Sequence, residues 1–257
     1  PIWGVFLLST ILLLGFSELG FRIGKRWHST DIAESGQTGA IMGASLGLLA
    51  FMLAFTFGMA GNRFNARVQS VLDETNAIGT TWLRSQMLPA PHASEVEALL
   101  KRYVELRIEG AQAESMEELR AAVDESTQVH TKLWQHAVTL GKDSPRAVTL
   151  GLFIDSLNQV IDLHEVRMTV ARYRIPRSVW GALFLLAFAS TTVVGLHAGL
   201  SGGRSVLVTV LLAMTLSLVL VLIVDIDRPD QTLFGVNQQS LIDLRESMDG
   251  TYRAPGP

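Results

Sequence analysis

Cysteine does not occur in this 257-residue sequence. Its absence removes disulfides, thiolate nucleophiles and Cys-based zinc or iron–sulfur sites, and leaves the redox compartment open. Charge is scarce as well: Asp, Glu, Lys and Arg make up 18% of the chain, against about 25% in an ordinary soluble domain. Since 48% of the residues are hydrophobic, the shortfall points to membrane spans. There is no basic excess, the net charge being −3, which argues against nucleic acid as a partner. Period-two alternation is missing, so strands are not expected. Internal repeats and low-complexity segments are missing too. The chain opens at Pro1 rather than Met, so a trimmed N-terminus is expected, with room for a short basic tail ahead of it.

What is present is four apolar runs: Ile2 to Phe21, Gly39 to Ala60, Ser178 to Leu200 and Ser205 to Val224. The run from Gly39 to Ala60 is uncharged. As a helix it measures roughly 33 Å, enough to cross a hydrocarbon core of about 30 Å. No proline interrupts the chain from there to about Met87, so one helix should span the membrane and continue into water. The first run is followed by Arg22, Lys25, Arg26 and Trp27, a basic and aromatic anchor at the headgroups. It lacks a small-residue cleavage pattern and reads as a retained span rather than a signal. Glu18 within it reads as an interfacial carboxylate held by Arg22; the sharper alternative is an ion relay. Pro176 suits a helix start at the third span, and Ser201, Gly202, Gly203 and Arg204 suit a tight turn before the fourth.

The 61–177 segment is helical in pattern. Ser94-Glu95-Val96-Glu97 and Ser115-Met116-Glu117-Glu118 both carry a capping-box signature, the second opening a helix that ends near Gly141. Ser144-Pro145 opens another that runs to about Arg174. The expected organisation is therefore all-α: spans one and two in 1–60, a helical extramembrane domain in 61–177, spans three and four in 178–224, and a C-terminal tail in 225–257. Positive charges flanking the spans (Arg63, Arg67, Arg172, Arg174, Arg177 and Arg228 against Arg22, Lys25, Arg26 and Arg204) place the large domain on the cytoplasmic side by a small margin.

The six histidines offer no ligand set by spacing. His130 and His136 face apart on a helix, and His164-Glu165 opens like a zinc-protease helix but meets Met168 where a second histidine should stand. No nucleophile–base arrangement, phosphate loop or glycine fingerprint appears, so an enzyme is not expected. No cofactor or metal is expected either. The acidic run Asp225, Asp227 and Asp230 lacks the spacing of a calcium loop and reads as the point where span four meets water.

Two patterns carry more. If the helix extending span two runs antiparallel to the one feeding span three, Asp73 and Glu74 lie level with Asp162, Glu165 and Arg167. Pairs such as Glu74 with Arg167 and Arg67 with Glu165 are then expected to join the helices. Within span two, Gly47, Phe51 and Phe55 recur every fourth residue, with Gly58 a turn below, on one helix stripe. Such a stripe packs against neighbouring spans or lines a pore whose aromatic ring gates by dewetting.

The run from Phe55 through Gly58-Met59-Ala60, Asn62-Arg63-Phe64-Asn65-Ala66-Arg67 and Asp73-Glu74-x-Asn76-Ala77-Ile78-Gly79-Thr80 resembles the bacterial membrane family labelled "bestrophin-like domain". So do Leu88-Pro89-x-Pro91, Asp162-Leu163-His164, Asp225-x-Asp227-Arg228-Pro229 and Gln238-Gln239-x-Leu241. Bestrophins are pentameric channels, mostly for chloride, whose second span lines the pore. The resemblance thus implies a homo-pentamer in the bacterial inner membrane, conducting inorganic ions and favouring anions such as chloride. It places the pore neck at Gly47, Phe51 and Phe55 and the pore exit at Asn62, Arg63 and Arg67. Gly47 departs from the bulky apolar residue expected at the outer ring, and the acidic calcium clasp of the animal proteins is not recognisable. The second reading is a non-conducting scaffold or sensor that binds a partner through helices 94–141. A proton-driven motor or transporter ranks last, because only Glu18 is a candidate intramembrane carboxylate.

Overall fold

A computed structural model describes residues 2–27, 32–143, 148–203, 205–228 and 236–250, the side chains of 32–35 excepted. It contains α1 (Ile2–Arg26), α2 (Ile32–Ser85), α3 (His92–Gln112), α4 (Met116–Asp143), α5 (Val148–Arg172), α6 (Arg177–Leu200), α7 (Val206–Asp227) and α8 (Gln239–Met248). No strand occurs among the described residues. The chain divides into two compact units, 1–64 with 173–235, and 65–172 with 236–257.

The first unit holds the four helices that are long and apolar enough to cross a membrane. The span expected from Gly39 belongs to a helix of 54 residues that begins earlier, at Ile32. Glycines bring α1 and α6 into backbone contact. A Cβ at Gly20 would strike the Thr192 carbonyl oxygen, and one at Gly195 would strike that of Ser17. Gly24 and Gly199, a turn further along, repeat the approach. This is how spans pack in lipid, where no water drives association and close contact must supply the energy. Phe16 stacks on Phe188 of α6 with centroids 4.4 Å apart. The α2 span offers this cluster Leu49, Leu53 and Ala60, and its Ser45 carbonyl accepts from the Ser190 hydroxyl at 3.0 Å.

The end of α7 corrects one expectation. Asp225 and Asp227 are buried rather than set in water. Asp227 Oδ1 accepts from the Ile175 N–H at 3.0 Å, and its carbonyl accepts from Arg174 Nη1 at 2.8 Å. The carboxylate therefore anchors the backbone just before Pro176 starts α6. Asp230, Arg204 and Ser144-Pro145 lie outside the described residues. Glu18 does pair with Arg22, at 2.9 Å.

The second unit is a helical bundle. Val71 and Ile78 of α2, Leu100 and Val104 of α3, Leu133 and Ala137 of α4, Phe153 and Leu157 of α5, and Leu241 and Met248 of α8 share one core. Residues 236–250, within the segment expected to be a tail, contribute α8 to that core. The capping signatures part company here. At α4, the Ser115 hydroxyl accepts from the Glu118 N–H at 3.1 Å while Glu118 Oε2 accepts from the Glu114 N–H. At α3, Pro91 already stands in the helical region (φ −86, ψ −5) and its carbonyl accepts from the Glu95 N–H. The helix thus starts at His92, and Ser94, already inside it, donates its hydroxyl to Pro91 O.

Candidate functional site

One outer face and one buried network stand out among the described residues. The first is the outer face of the α2 span. At about 100° per residue, Gly47, Phe51, Phe55, Gly58 and Asn62 fall on one stripe, and all are exposed. Phe51 and Phe55 are 65% and 54% accessible in the single chain, and a Cβ at Gly47 or Gly58 would meet open space. Leu49, Leu53, Thr56 and Ala60, on the opposite side of the helix, are buried. Packing therefore uses one side of this span and leaves the glycine–phenylalanine side without cover. Arg63 is partly buried. Arg67, in the second unit, is buried.

The second is a polar network inside the second unit, centred on Glu74, which is 0% exposed. Glu74 Oε1 accepts from the Tyr103 hydroxyl at 2.5 Å and lies 3.1 Å from Arg107 Nε. Its Oε2 accepts from Arg167 Nη1 at 2.5 Å. Arg167 Nη2 donates to Gln238 Oε1 at 2.9 Å, and Tyr103 Oη meets His164 Nδ1 at 3.0 Å. His130 packs edge-on to His164 with ring centroids 5.0 Å apart. Four helices and the segment leading into α8 converge on this carboxylate.

Burial opposes ionisation of Glu74, but the guanidiniums of Arg107 and Arg167 and the hydrogen bonds from Tyr103 and Arg167 outweigh it, holding its pKa below the ordinary value. Burial and the Glu74 charge push the Tyr103 phenol well up. Burial, aided by neighbouring His164, pushes His130 down to about 4. His164 is lowered by burial and by Arg107, against the pull of Glu74. At neutral pH the network is therefore one carboxylate between two guanidiniums, with two neutral imidazoles beside it.

Of the charges expected to join the two helices, Glu74 and Arg167 meet. Ten residues further along α2, Arg84 donates to the Leu152 carbonyl at 2.6 Å and lies 3.5 Å from Asp155, the contacts antiparallel helices require. Asp73 instead accepts from Gln69 on its own helix at 2.8 Å, and Asp162 and Glu165 stand exposed. Spacing alone missed Tyr103, Arg107, His130 and Gln238. One signal was available: Tyr103 and Arg107 continue the stripe of Val96 and Leu100, and a cation on a buried stripe needs a partner. The histidines expected to form no set fall into two groups, His130 with His164 and His92 with His136, each drawn from two helices.

The family called Bestrophin-like domain matches residues 9–241. No curated protein matches. A bacterial bestrophin homolog from Klebsiella pneumoniae superposes at TM-score 0.66 and 14% identity, covering 99% of this chain and 100% of that one. A single-substitution variant of that homolog reaches 0.68 at 13%, covering 97% and 98%. A structure described as a membrane protein gives 0.67 at 13%, covering 99% and 100%. The likeness extends over both units, the apolar helices and the bundle alike. A multi-pass, all-α membrane protein with this architecture, matched from residue 9 to residue 241, belongs to the Bestrophin-like domain family.

Proposed function

We propose that the protein is an oligomeric ion channel whose pore is lined by α2, with Gly47, Phe51 and Phe55 at its neck. The uncovered side of α2 carries this reading. Lipid would accept the two phenylalanines, but it gives no reason for Gly47 and Gly58 on the same stripe, nor for Asn62 at its end. Copies arranged round an axis would place all five toward a shared lumen. There the phenylalanine rings narrow the path and dry it, while Gly47, without a side chain, leaves the first ring wide. An apolar neck selects little by charge. The Asn62 amide at the exit, with Arg63 and Arg67 set back from the stripe as a positive field, favours anions such as chloride. The resemblance supports a homo-pentamer in the bacterial inner membrane with the helical domain in the cytoplasm.

The test is anion flux from purified protein in liposomes, wild type against Phe51→Ala and Phe55→Ala. Widening a dewetted neck raises flux, and reversal potentials in a salt gradient report the sign of the permeant ion. No flux above empty liposomes at any salt, voltage or pH overturns the channel and leaves the scaffold reading. Equal flux in wild type and both variants overturns the neck.

A further inference from the structure

We propose that His92, Glu95 and His136 form a site for a divalent transition-metal ion of the zinc class, tying the first turn of α3 to α4. The site lies in the second unit, apart from the Glu74 network, and does not depend on the channel reading. A helical hairpin makes it: α3 and α4 are joined by residues 113–115, and His136 lies as far beyond that turn as His92 lies before it. Glu95, three residues after His92, shares its helix face.

His92 Nδ1 and His136 Nδ1 are 2.9 Å apart, and the two rings stand nearly perpendicular, at 82°. Glu95 Oε2 is 3.7 Å from His136 Nδ1, and the three ligand atoms all lie within 4.8 Å of one another. A tetrahedral zinc ion with bonds of about 2.0–2.1 Å sets its ligand atoms about 3.3–3.4 Å apart. Reaching that geometry parts the two nitrogens by about 0.4 Å and closes the carboxylate on His136 by a similar distance. The Glu95 side chain is half exposed and has the freedom to close.

Two imidazole nitrogens and one carboxylate suit zinc and its neighbours, whereas calcium and magnesium prefer oxygen ligands throughout. Three protein ligands leave one position open. A shallow groove lined by Glu95, Ala98, Leu99, Lys132, Gln135 and His136 opens beside two of the ligands, so a water can reach the ion. The bland account is a hydrogen bond between the two imidazoles, with Glu95 an ion-pair partner whenever His136 is protonated. It requires a proton between the two Nδ1 atoms, whereas a metal ion takes all three groups through their lone pairs at once.

The experiment is calorimetric titration of zinc chloride into the full-length protein in detergent, purified without a polyhistidine tag and stripped with chelator. Wild type should bind one zinc ion per chain, and His136→Ala should weaken binding by about tenfold or more, as loss of a direct ligand must cost at least what loss of a supporting group does. Glu95→Gln, an exposed and conservative change, should weaken it less while leaving the metal-free melting curve unchanged. Cobalt(II) should give tetrahedral visible absorption in wild type and lose it in His136→Ala. Three results overturn the site: no zinc binding at about 100 μM, a concentration any specific site of at least micromolar affinity saturates; equal binding in wild type and both variants; or magnesium binding as tightly as zinc.

Discussion

Replacing Glu74 by glutamine keeps its size and removes its charge, leaving Arg107 and Arg167 to face each other in a buried site. Arg107 is 7% exposed and the Arg167 side chain 12%, so water cannot screen them. Removing one partner of a buried pair costs about 3–5 kcal/mol. The amide oxygen of Gln can still accept from Tyr103, which places the expected loss near the lower end, about 3 kcal/mol. For a domain of this size each kcal/mol moves the midpoint by roughly 3–5 °C, so Glu74→Gln should melt roughly 10–15 °C below wild type. Circular dichroism melting in detergent measures it. Removing one of the competing cations relieves the repulsion, so Glu74→Gln in an Arg167→Met background should lose less than the two single changes added together. A Glu74→Gln midpoint within about 2 °C of wild type, where roughly 10–15 °C is expected, would refute the claim that this carboxylate holds the bundle together.

Two further predictions rest on this network and on the α1–α6 contact. His130 titrates at about 4 in the folded protein against about 6.5 when free. Between those values the unfolded chain binds more protons, so stability is complete above about pH 6.5 and falls by about 3 kcal/mol as pH drops to about 4. The lowered His164 adds loss of the same sign. Glu74, also lowered, contributes stability that is present above its unfolded pKa of about 4.3 and is lost as pH falls through its folded value. Melting curves at neutral and mildly acid pH should therefore diverge in wild type and draw together in His130→Leu; parallel curves in both would refute the role of His130. In the membrane unit, Gly195→Ala places a methyl group against the Ser17 carbonyl and must drive α1 and α6 apart, at about 1–3 kcal/mol. Gly15→Ala, whose methyl would meet open space, should behave as wild type, and equal yield and melting of the two variants would show that the close approach does not matter.

Much of the architecture was legible because it is written in contiguous residues. Apolar runs of span length marked the helices of the membrane unit, and Ser115 with Glu118 marked the start of α4. Where local signals competed, the sequence misled. Ser94 carried a capping signature, yet Pro91, already in helical geometry, started α3 first. Asp225 and Asp227 looked like the wet end of a span because nothing nearby in sequence announces that Asp227 will hold the Ile175 amide. The pairing of Glu74 with Arg167 was expected from matched depth along antiparallel helices. The same reasoning named Asp73, Asp162 and Glu165, which lie at similar depth but point elsewhere.

The sequence by itself determined the class of the protein, its membrane segments and the stripe of Gly47, Phe51 and Phe55. Length, hydropathy and the period of one helix need no partner to be read. Only the tertiary structure decided which side of α2 is covered, that Tyr103, Arg107 and Arg167 all close on Glu74, and that His92 and His136 meet across a hairpin. Those outcomes depend on the rotation and register of one helix against another. Core packing sets both, and a turn of 100° per residue lets neighbours in sequence face opposite directions.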